Sequence, residues 1–560
     1  MKKENKRLTQ DNKSNNGSAD IEIRTFSDLR NFLKQNKLVV FLICLFTLLI
    51  YANIITGDFV NLDDYSVILT GPEYQDIWSS IKSLDGYRIT MTIMVKLFGI
   101  NSSALHILSI VTHMINGVLV FILLYILFGK QVSLMGTFMF LSHPANTEVI
   151  SWHAGYPYAA RAVLINLILI FFALFKKTKE KKFLIASSLV YIFSLIFYRG
   201  GGWVLISPFL LVLMDQFILE EKVKFKNIVE YLPYLISSLI FAAILLPGFF
   251  KGRISDLQTL YYVDIESSTP LINRLPYTIY MEFKTLAYPM NLSIYREGNY
   301  ISPAEYTLMV FVTMAVIFSI FYFLKKDRRI SGLMLMILFA ILPSFSPIII
   351  AWITADRYFY IPSVFSSAII SIAIVWIDNK LKKNKNKKGV VKKEKADKRG
   401  FAFYAPLFII LFYSVRTIIR NNDLRNSKNL WIATRKTAPY SYRVYNNMGD
   451  VLANEGDLEG ALENFKISVA LKPDYADAVH NIGHIYMVQK KYDLAKKYLE
   501  KSLEMNPRLF PSAYKLGIIY AEEGNYENSK KYFEQCLEYN PTDTYCAEGL
   551  QKILQIMDQK

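Results

Sequence analysis

Three cysteines in 560 residues exclude a disulfide framework as the basis of this fold. Only Cys536 and Cys546 stand close enough in sequence to suggest a pair, and they could close on the oxidising side of a membrane. Acidic residues are also in short supply, 47 against 64 Lys and Arg, for a net charge of +17. Such a surplus can attract nucleic acid, but its distribution excludes that reading. The positive charge is bunched in "KKENKR", "KKTKEKK", "EEKVKFK", "KKDRR" and "KKNKNKKGVVKKEKADKR", each beside an apolar run. With residue 1 in the cytoplasm, all five fall on the cytoplasmic side, which is the positive-inside bias of a membrane protein.

What is abundant is apolar surface, 52% of residues with 14% aromatic. It is gathered in eleven runs: 38–56, 103–128, 131–148, 159–175, 183–198, 203–219, 231–247, 306–324, 331–350, 359–377 and 401–419. Runs of roughly 17–25 residues suit a hydrocarbon core about 30 Å thick. Pro144 interrupts the third. The first lies too far along the chain, and lacks a small-residue cleavage site, to read as a removable signal peptide.

A second pattern begins beyond residue 438. Pro439, Pro473, Pro507 and Pro541 recur every 34 residues, as do Gly449, Gly483 and Gly517, and Ala461, Ala495 and Ser529. That period, with small residues where paired helices cross, is the tetratricopeptide signature. The expected fold class is therefore all-α, a polytopic bundle of about eleven spans followed by an α-solenoid of three such repeats. The chain divides into a basic cytoplasmic tail (1–37), a multi-span domain (38–419), a linker (420–438) and an extracytoplasmic repeat domain with a capping helix (439–560). Arg416, Arg420 and Arg425 flank the outer end of the last span and pull against this orientation.

Under this topology the outer loops hold the chemistry. Asp63 and Asp64 follow the first span in "GDFVNLDDYS". Arg88, Arg161 and Arg357 each stand at the outer end of a span, where a lone arginine either snorkels to lipid phosphate or binds a ligand. Ser102, His106, Ser109, His113 and Asn116 share one helix face; such stripes often join helices by hydrogen bonds, but His106 is near enough to the surface to reach a head group. His143, Glu148 and Trp152 lie in "SHPANTEVISW", and Asp356 and Tyr358 flank Arg357 in "DRYFYIP". Residues 271–295 suit a helix lying in the outer interface.

These parts fit a reaction in which a carboxylate deprotonates a hydroxyl, which attacks the anomeric carbon of a lipid-phosphate sugar. Asp63 or Asp64 would be the base, and Arg357 with Arg88 or Arg161 would bind the phosphate. Adjacent acids leave room for a divalent cation, yet no clustered third ligand makes one obligatory. The competing reading is a non-enzymatic membrane scaffold whose repeats recruit protein partners.

The motifs resemble those of GT-C-class membrane glycosyltransferases, and among them the transmembrane and tetratricopeptide-repeat O-mannosyltransferase-like proteins, with bacterial relatives. "FVNLDD" resembles the family's acidic motif, and "YRITMTIMVKLFGINSSALHILSIVTHMINGVLV" its interfacial arginine segment with the span that follows. "FLSHPANTEVISW", "YPMNLSIY" and "DRYFYIP" resemble three later signatures. Ile89 replaces a usual proline, Tyr156 stands where many relatives carry arginine, and Asp356 replaces a glutamate. The resemblance implies a polyprenyl- or dolichyl-phosphate donor, a mannose-like sugar, transfer with inversion, and a protein Ser/Thr acceptor or other partner at the repeats. It assigns donor contacts to Arg88, His106, His143, Glu148, Trp152, Arg161, Asp356, Arg357 and Tyr358. Abundant Lys, Asn and Ile point to an AT-rich genome and a bacterial plasma membrane rather than the endoplasmic reticulum.

Overall fold

The computed structural model describes residues 22–62, 64, 76–198, 200–219, 225–244, 271–296, 301–342, 354–387, 400–541 and 543–559. Every regular element among them is helical. In chain order the helices used below are α1 (Phe26–Gln35), α2 (Lys37–Tyr51), α3 (Ile77–Lys82), α4 (Gly86–Phe98), α5 (Ser102–Phe128), α6 (Lys130–Ser142) and α7 (Thr147–Ser151). They continue as α8 (Tyr156–Thr178), α9 (Lys181–Phe197), α10 (Ser207–Leu213), α11 (Asn227–Ile244), α12 (Leu271–Ala287), α13 (Pro303–Lys326), α14 (Arg328–Ala340), α15 (Tyr360–Lys387) and α16 (Phe401–Asp423).

Seven helical stretches among the described residues are long and apolar enough to cross a membrane: α2, α5, α8, α11, α13, α15 and α16, some with a flanking turn. Four of the eleven sequence runs form shorter helices instead, α6, α9, Trp203–Ile218 and α14. The third run breaks for a local reason. Pro144 excludes a helical conformation at the residue before it, His143 is extended (φ −66°, ψ 119°), and the chain turns through Pro144–Asn146 before α7.

The buried centre of the bundle is α5, packed between α6, α8 and α2. Gly117 of α5 makes this possible. A Cβ there would lie 2.7 Å from a Leu141 methyl and 3.1 Å from an Ile43 methyl, so a larger residue would push those side chains aside. The polar stripe on α5 joins helices. Asn116 donates to the Ala159 carbonyl (2.9 Å) and accepts from Asn166 (3.1 Å), while His113 shares a hydrogen bond with the Tyr360 hydroxyl (2.6 Å). Around this centre the outward faces are apolar and uncovered. Phe311 and Phe318 on α13 and Phe408 on α16 are each about 70% exposed, the pattern expected of helices solvated by lipid rather than water.

Residues 427–437, expected in a linker, form α17 (Ser427–Thr437), whose Leu430 and Trp431 are fully buried. Three helix pairs follow: α18 (Tyr442–Asn454) with α19 (Leu458–Leu471), α20 (Ala476–Val488) with α21 (Tyr492–Met505), and α22 (Phe510–Glu522) with α23 (Tyr526–Tyr539). The helix α24 (Thr544–Asp558) caps them. The 34-residue glycines sit where the paired helices cross. A Cβ would come within 2.6 Å of Phe465 at Gly449, 2.8 Å of Leu499 at Gly483 and 2.8 Å of Phe533 at Gly517. Their partners Ala461, Ala495 and Ser529 are all fully buried. Cys536 and Cys546 form a disulfide that ties α23 to α24.

Candidate functional site

Five motifs far apart in sequence are tied together at one rim of the bundle. The acidic turn comes first. Asp64 is fully buried and accepts from the Val60 N–H (3.2 Å) and the Ala154 N–H (3.1 Å). The second bond pins the turn to the segment that carries Trp152. Asp63 lies outside the described residues. Asn61 extends the same turn toward the repeats: its N–H donates to Ser427 Oγ (2.8 Å), its amide to the Asn447 carbonyl (3.2 Å), and it accepts from Trp431 Nε1 (2.5 Å). Val60, Trp152, Ile294, Tyr295, Trp431 and Val444 then share one apolar cluster, so loops of the membrane domain and the first repeat bury a common core.

Glu148, on the single-turn helix α7, meets Arg357 across 209 residues of chain, Nη1 to Oε1 at 2.5 Å. The Arg357 guanidinium also lies 5.3 Å from the ring centres of both Trp152 and Tyr358, a doubly stacked cation. Burial pushes the Glu148 carboxyl above its usual range, and the Arg357 charge opposes that shift. Asp356, the neighbouring acid, accepts from the Ser293 N–H (2.9 Å) and pairs with Arg296. Thus "YPMNLSIY" and "DRYFYIP" are zipped together by the aspartate that replaces a glutamate.

These pairs change how the arginines read. Arg357 is balanced by Glu148, and Arg296 by Asp356. Arg161 has no acid within ion-pair distance among the described residues; its guanidinium stacks on Tyr158 at 5.4 Å. Arg161 and Arg357 line one small cavity of about 20 Å³ with Tyr158, Trp203 and Tyr358. That volume accommodates about one water. Arg88 instead donates to Ser79 Oγ (2.9 Å) at the start of α4, next to the Asp85 side chain that caps the helix. The arrangement brings Arg161 beside Arg357.

His143 is held on both sides: it shares a bond with the Leu286 carbonyl (3.2 Å), and Nδ1 accepts from the Ala145 N–H (3.3 Å). It fixes the turn after α6. His106 is fully buried and packs against His153 with ring centres 4.2 Å apart and planes tilted by 39°, and neither of its nitrogens has a hydrogen-bond partner among the described residues. The His153 Nε2 bonds to Ser102 Oγ (3.0 Å), which donates to the Gly57 carbonyl (2.7 Å) at the base of the acidic turn. The two imidazoles therefore floor that turn.

Sequence reasoning did not single out His153, Arg296 or Trp203. Arg420 it read as a flanking charge, yet it is fully buried with Nε and Nη2 unpartnered among the described residues, near enough to Glu148 to affect its carboxyl. Arg416 donates to the Met290 carbonyl (2.9 Å) and Arg425 to Thr56 Oγ1 (2.9 Å). Arg416 and Arg425 thus knit α16 and the turn after it to the outer loops.

Comparisons with known proteins match parts of the chain. The tetratricopeptide repeat family matches residues 476–509 and 510–543, and a TPR repeat family matches 449–490. The human protein O-mannosyl-transferase TMTC3 is 26% identical over 186 residues, covering 33% of this chain and 18% of that protein. The mouse protein O-mannosyl-transferase TMTC2 is 25% identical over 131 residues, covering 23% of this chain and 14% of that protein. Among solved structures, the crystal structure of MamA aligns over 26% of this chain and 82% of its own, at 19% identity and a TM-score of 0.19. The matches thus span less than a fifth of the length of these curated relatives, and the chain is an all-helical, multi-pass membrane protein with tetratricopeptide repeats and a distant likeness to protein O-mannosyl-transferases.

Proposed function

We propose that the protein is a membrane glycosyltransferase that moves a mannose-like sugar from a polyprenyl-phosphate donor to a hydroxyl of a protein on the extracytoplasmic face. The observation that carries this reading is the Asp64–Ala154 bond. It fixes the acidic turn beside the Trp152–Arg357–Glu148 assembly, although these residues come from three separate stretches of chain. The distant likeness to protein O-mannosyl-transferases supports the same chemistry.

In this reading the two acids divide their work. Asp64, whose oxygens hold two backbone N–H groups, positions the turn. Asp63 is the base: its carboxylate takes the proton of the acceptor hydroxyl as that oxygen bonds to the anomeric carbon. The carbon–oxygen bond to the lipid phosphate breaks, the phosphate leaves with the electron pair, and configuration inverts. Arg161 is the mobile cation for that phosphate, and Arg357, locked by Glu148 and two rings, sets the field around it. The leaving group is already good, so the step needs no metal, and a divalent cation at the paired acids would assist only by orienting the acceptor. The Cys536–Cys546 disulfide supports an oxidising compartment for the repeats, as does the basic bias of the opposite loops.

The test is transfer of labelled sugar from polyprenyl-phosphate mannose to protein by the purified chain in proteoliposomes. Asp63→Asn is expected to abolish transfer with insertion and monodispersity unchanged. Wild-type transfer by that variant removes Asp63 as base. Absence of transfer by the wild type from any polyprenyl-phosphate sugar favours the scaffold reading.

A further inference from the structure

Among the described residues, every hydrogen bond that leaves the acidic turn between Gly57 and Asp64 goes to residues 425–447. The Asp58 N–H donates to the Arg425 carbonyl (2.8 Å). Asn61 gives its N–H to Ser427 Oγ and its amide to the Asn447 carbonyl, and its side-chain oxygen accepts from Trp431 Nε1. The bundle bonds the turn only at its two ends, where Ser102 Oγ donates to the Gly57 carbonyl (2.7 Å) and the Ala154 N–H to Asp64 (3.1 Å). The middle of the turn is therefore held from the repeat side, by α17 and α18.

Joining two domains does not require this. An apolar contact suffices for that, and Val60, Trp431 and Val444 already supply one. Directional bonds add a single defined position, and both fixed points here are rigid. Trp431 is fully buried and its ring stacks on Tyr295, centres 5.6 Å apart and planes 27° apart, so packing aims its Nε1–H. The Asn447 carbonyl belongs to the backbone of α18 and moves only if that helix moves. Asn61 stands two residues before Asp63 and three before Asp64, too short a stretch of chain to absorb a shift. A reacting group misplaced by about 1 Å loses up to ~10²-fold in rate.

We infer that Asn61 is a positioning residue, and that Trp431 and the α18 backbone are the fixed points from which it sets the paired acids. The first repeat is then part of the device that places the base, rather than only an appended arm. The inference rests on the transferase reading for its effect on turnover, but the hold on the turn does not depend on that reading. One net amide hydrogen bond biases the held position about fivefold. Trp431→Phe removes one such bond and keeps a ring against Tyr295, whereas Asn61→Ala removes two.

The test uses full-length protein in nanodiscs and reads two quantities in each variant. One is amide exchange at residues 58–62; the other is kcat and donor KM for transfer from polyprenyl-phosphate mannose to protein. Trp431→Phe is expected to quicken exchange and lower kcat about fivefold, and Asn61→Ala about 25-fold, with donor KM unchanged. The double variant falls no further than Asn61→Ala alone, because the Trp431 bond is already gone. Lys428→Ala, which breaks the exposed Lys428–Glu455 pair between α17 and the end of α18, leaves both quantities at wild-type values. Unchanged exchange at 58–62 in Asn61→Ala and Trp431→Phe, or losses that multiply in the double variant, overturns the inference. Quickening that spreads equally through α5 and α20 marks unfolding rather than release of the turn, and overturns it too. Exchange that responds as expected in a protein whose wild type transfers no sugar leaves the clamp standing and sinks the transferase reading. Transfer that Asp63→Asn abolishes, yet that proceeds at wild-type kcat in Asn61→Ala and Trp431→Phe, does the reverse.

Discussion

The Glu148–Arg357 pair yields an asymmetric prediction. Both side chains are buried and meet at 2.5 Å. Removing Glu148 strands a guanidinium that cannot shed its proton, beside the faces of Trp152 and Tyr358. Breaking a buried pair from this side costs about 3–5 kcal/mol. Removing Arg357 strands a carboxyl, which can take up a proton. From an ordinary Glu value near 4.3, that costs about 4 kcal/mol at pH 7.5 and about 1 kcal/mol at pH 5, at ~1.4 kcal/mol per unit. The sign follows from linkage. In Arg357→Met the folded-state Glu148 is raised above its unfolded value, so stability is kept at low pH and lost as pH rises. Glu148→Ala is therefore expected to be destabilised equally at pH 5 and 7.5, while Arg357→Met recovers about 3 kcal/mol on acidification. The double variant Glu148→Ala/Arg357→Met is more stable than Glu148→Ala at both. The assay is denaturant unfolding in mixed micelles, followed by tryptophan fluorescence. Equal pH dependence in the two single variants, or wild-type stability in Glu148→Ala, overturns this picture of the pair.

The repeats carry two further predictions. Burial, with Asp477 nearby, pushes the Asp450 carboxyl up to about 7, so its contribution to the stability of the first repeat is greatest below pH 4 and falls by an amount on the order of 3–4 kcal/mol between pH 4 and 7. Hydrogen exchange across α18 in the full chain is expected to quicken over that range, and Asp450→Asn to flatten the dependence; an unchanged slope counts against it. At Gly483, a Cβ would sit 2.8 Å from Leu499 Cγ and 3.1 Å from the Leu499 backbone nitrogen. Gly483→Val is expected to cost about 1–3 kcal/mol and to open α20–α21 to limited proteolysis, while resistance equal to wild type would show that the crossing has slack.

The bundle and the repeats were legible because their signals are local. An apolar run and a 34-residue period are properties of neighbours in sequence, and Gly449, Gly483 and Gly517 sit where the period puts them. Even there, whether an apolar run becomes one long helix or breaks early depended on a single residue such as Pro144. The site was half legible. Motif resemblance singled out Glu148, Trp152, Asp356 and Arg357 as candidates but not who holds whom, because the Glu148–Arg357 and Asp356–Arg296 pairs span 209 and 60 residues. Arg420 was read only as a flanking charge and Arg296 was passed over, because neither the burial of the first nor the Asp356 partner of the second is a local property of the sequence. His106 was expected to reach a head group, and the His153 ring that covers it belongs to a stretch read only for its departures from the resemblance.

Sidedness is the decisive point, since the paired acids, the arginines and the repeats must all face one compartment. A cysteine placed at Asn454, and in a second chain at Asp58, each in a background with Cys44 replaced by Ala, is treated in intact cells with a membrane-impermeant maleimide. Labelling is expected at both positions without permeabilisation, with Cys536 and Cys546 protected until reduced. Labelling of either position only after the membrane is opened is incompatible with a shared outer compartment.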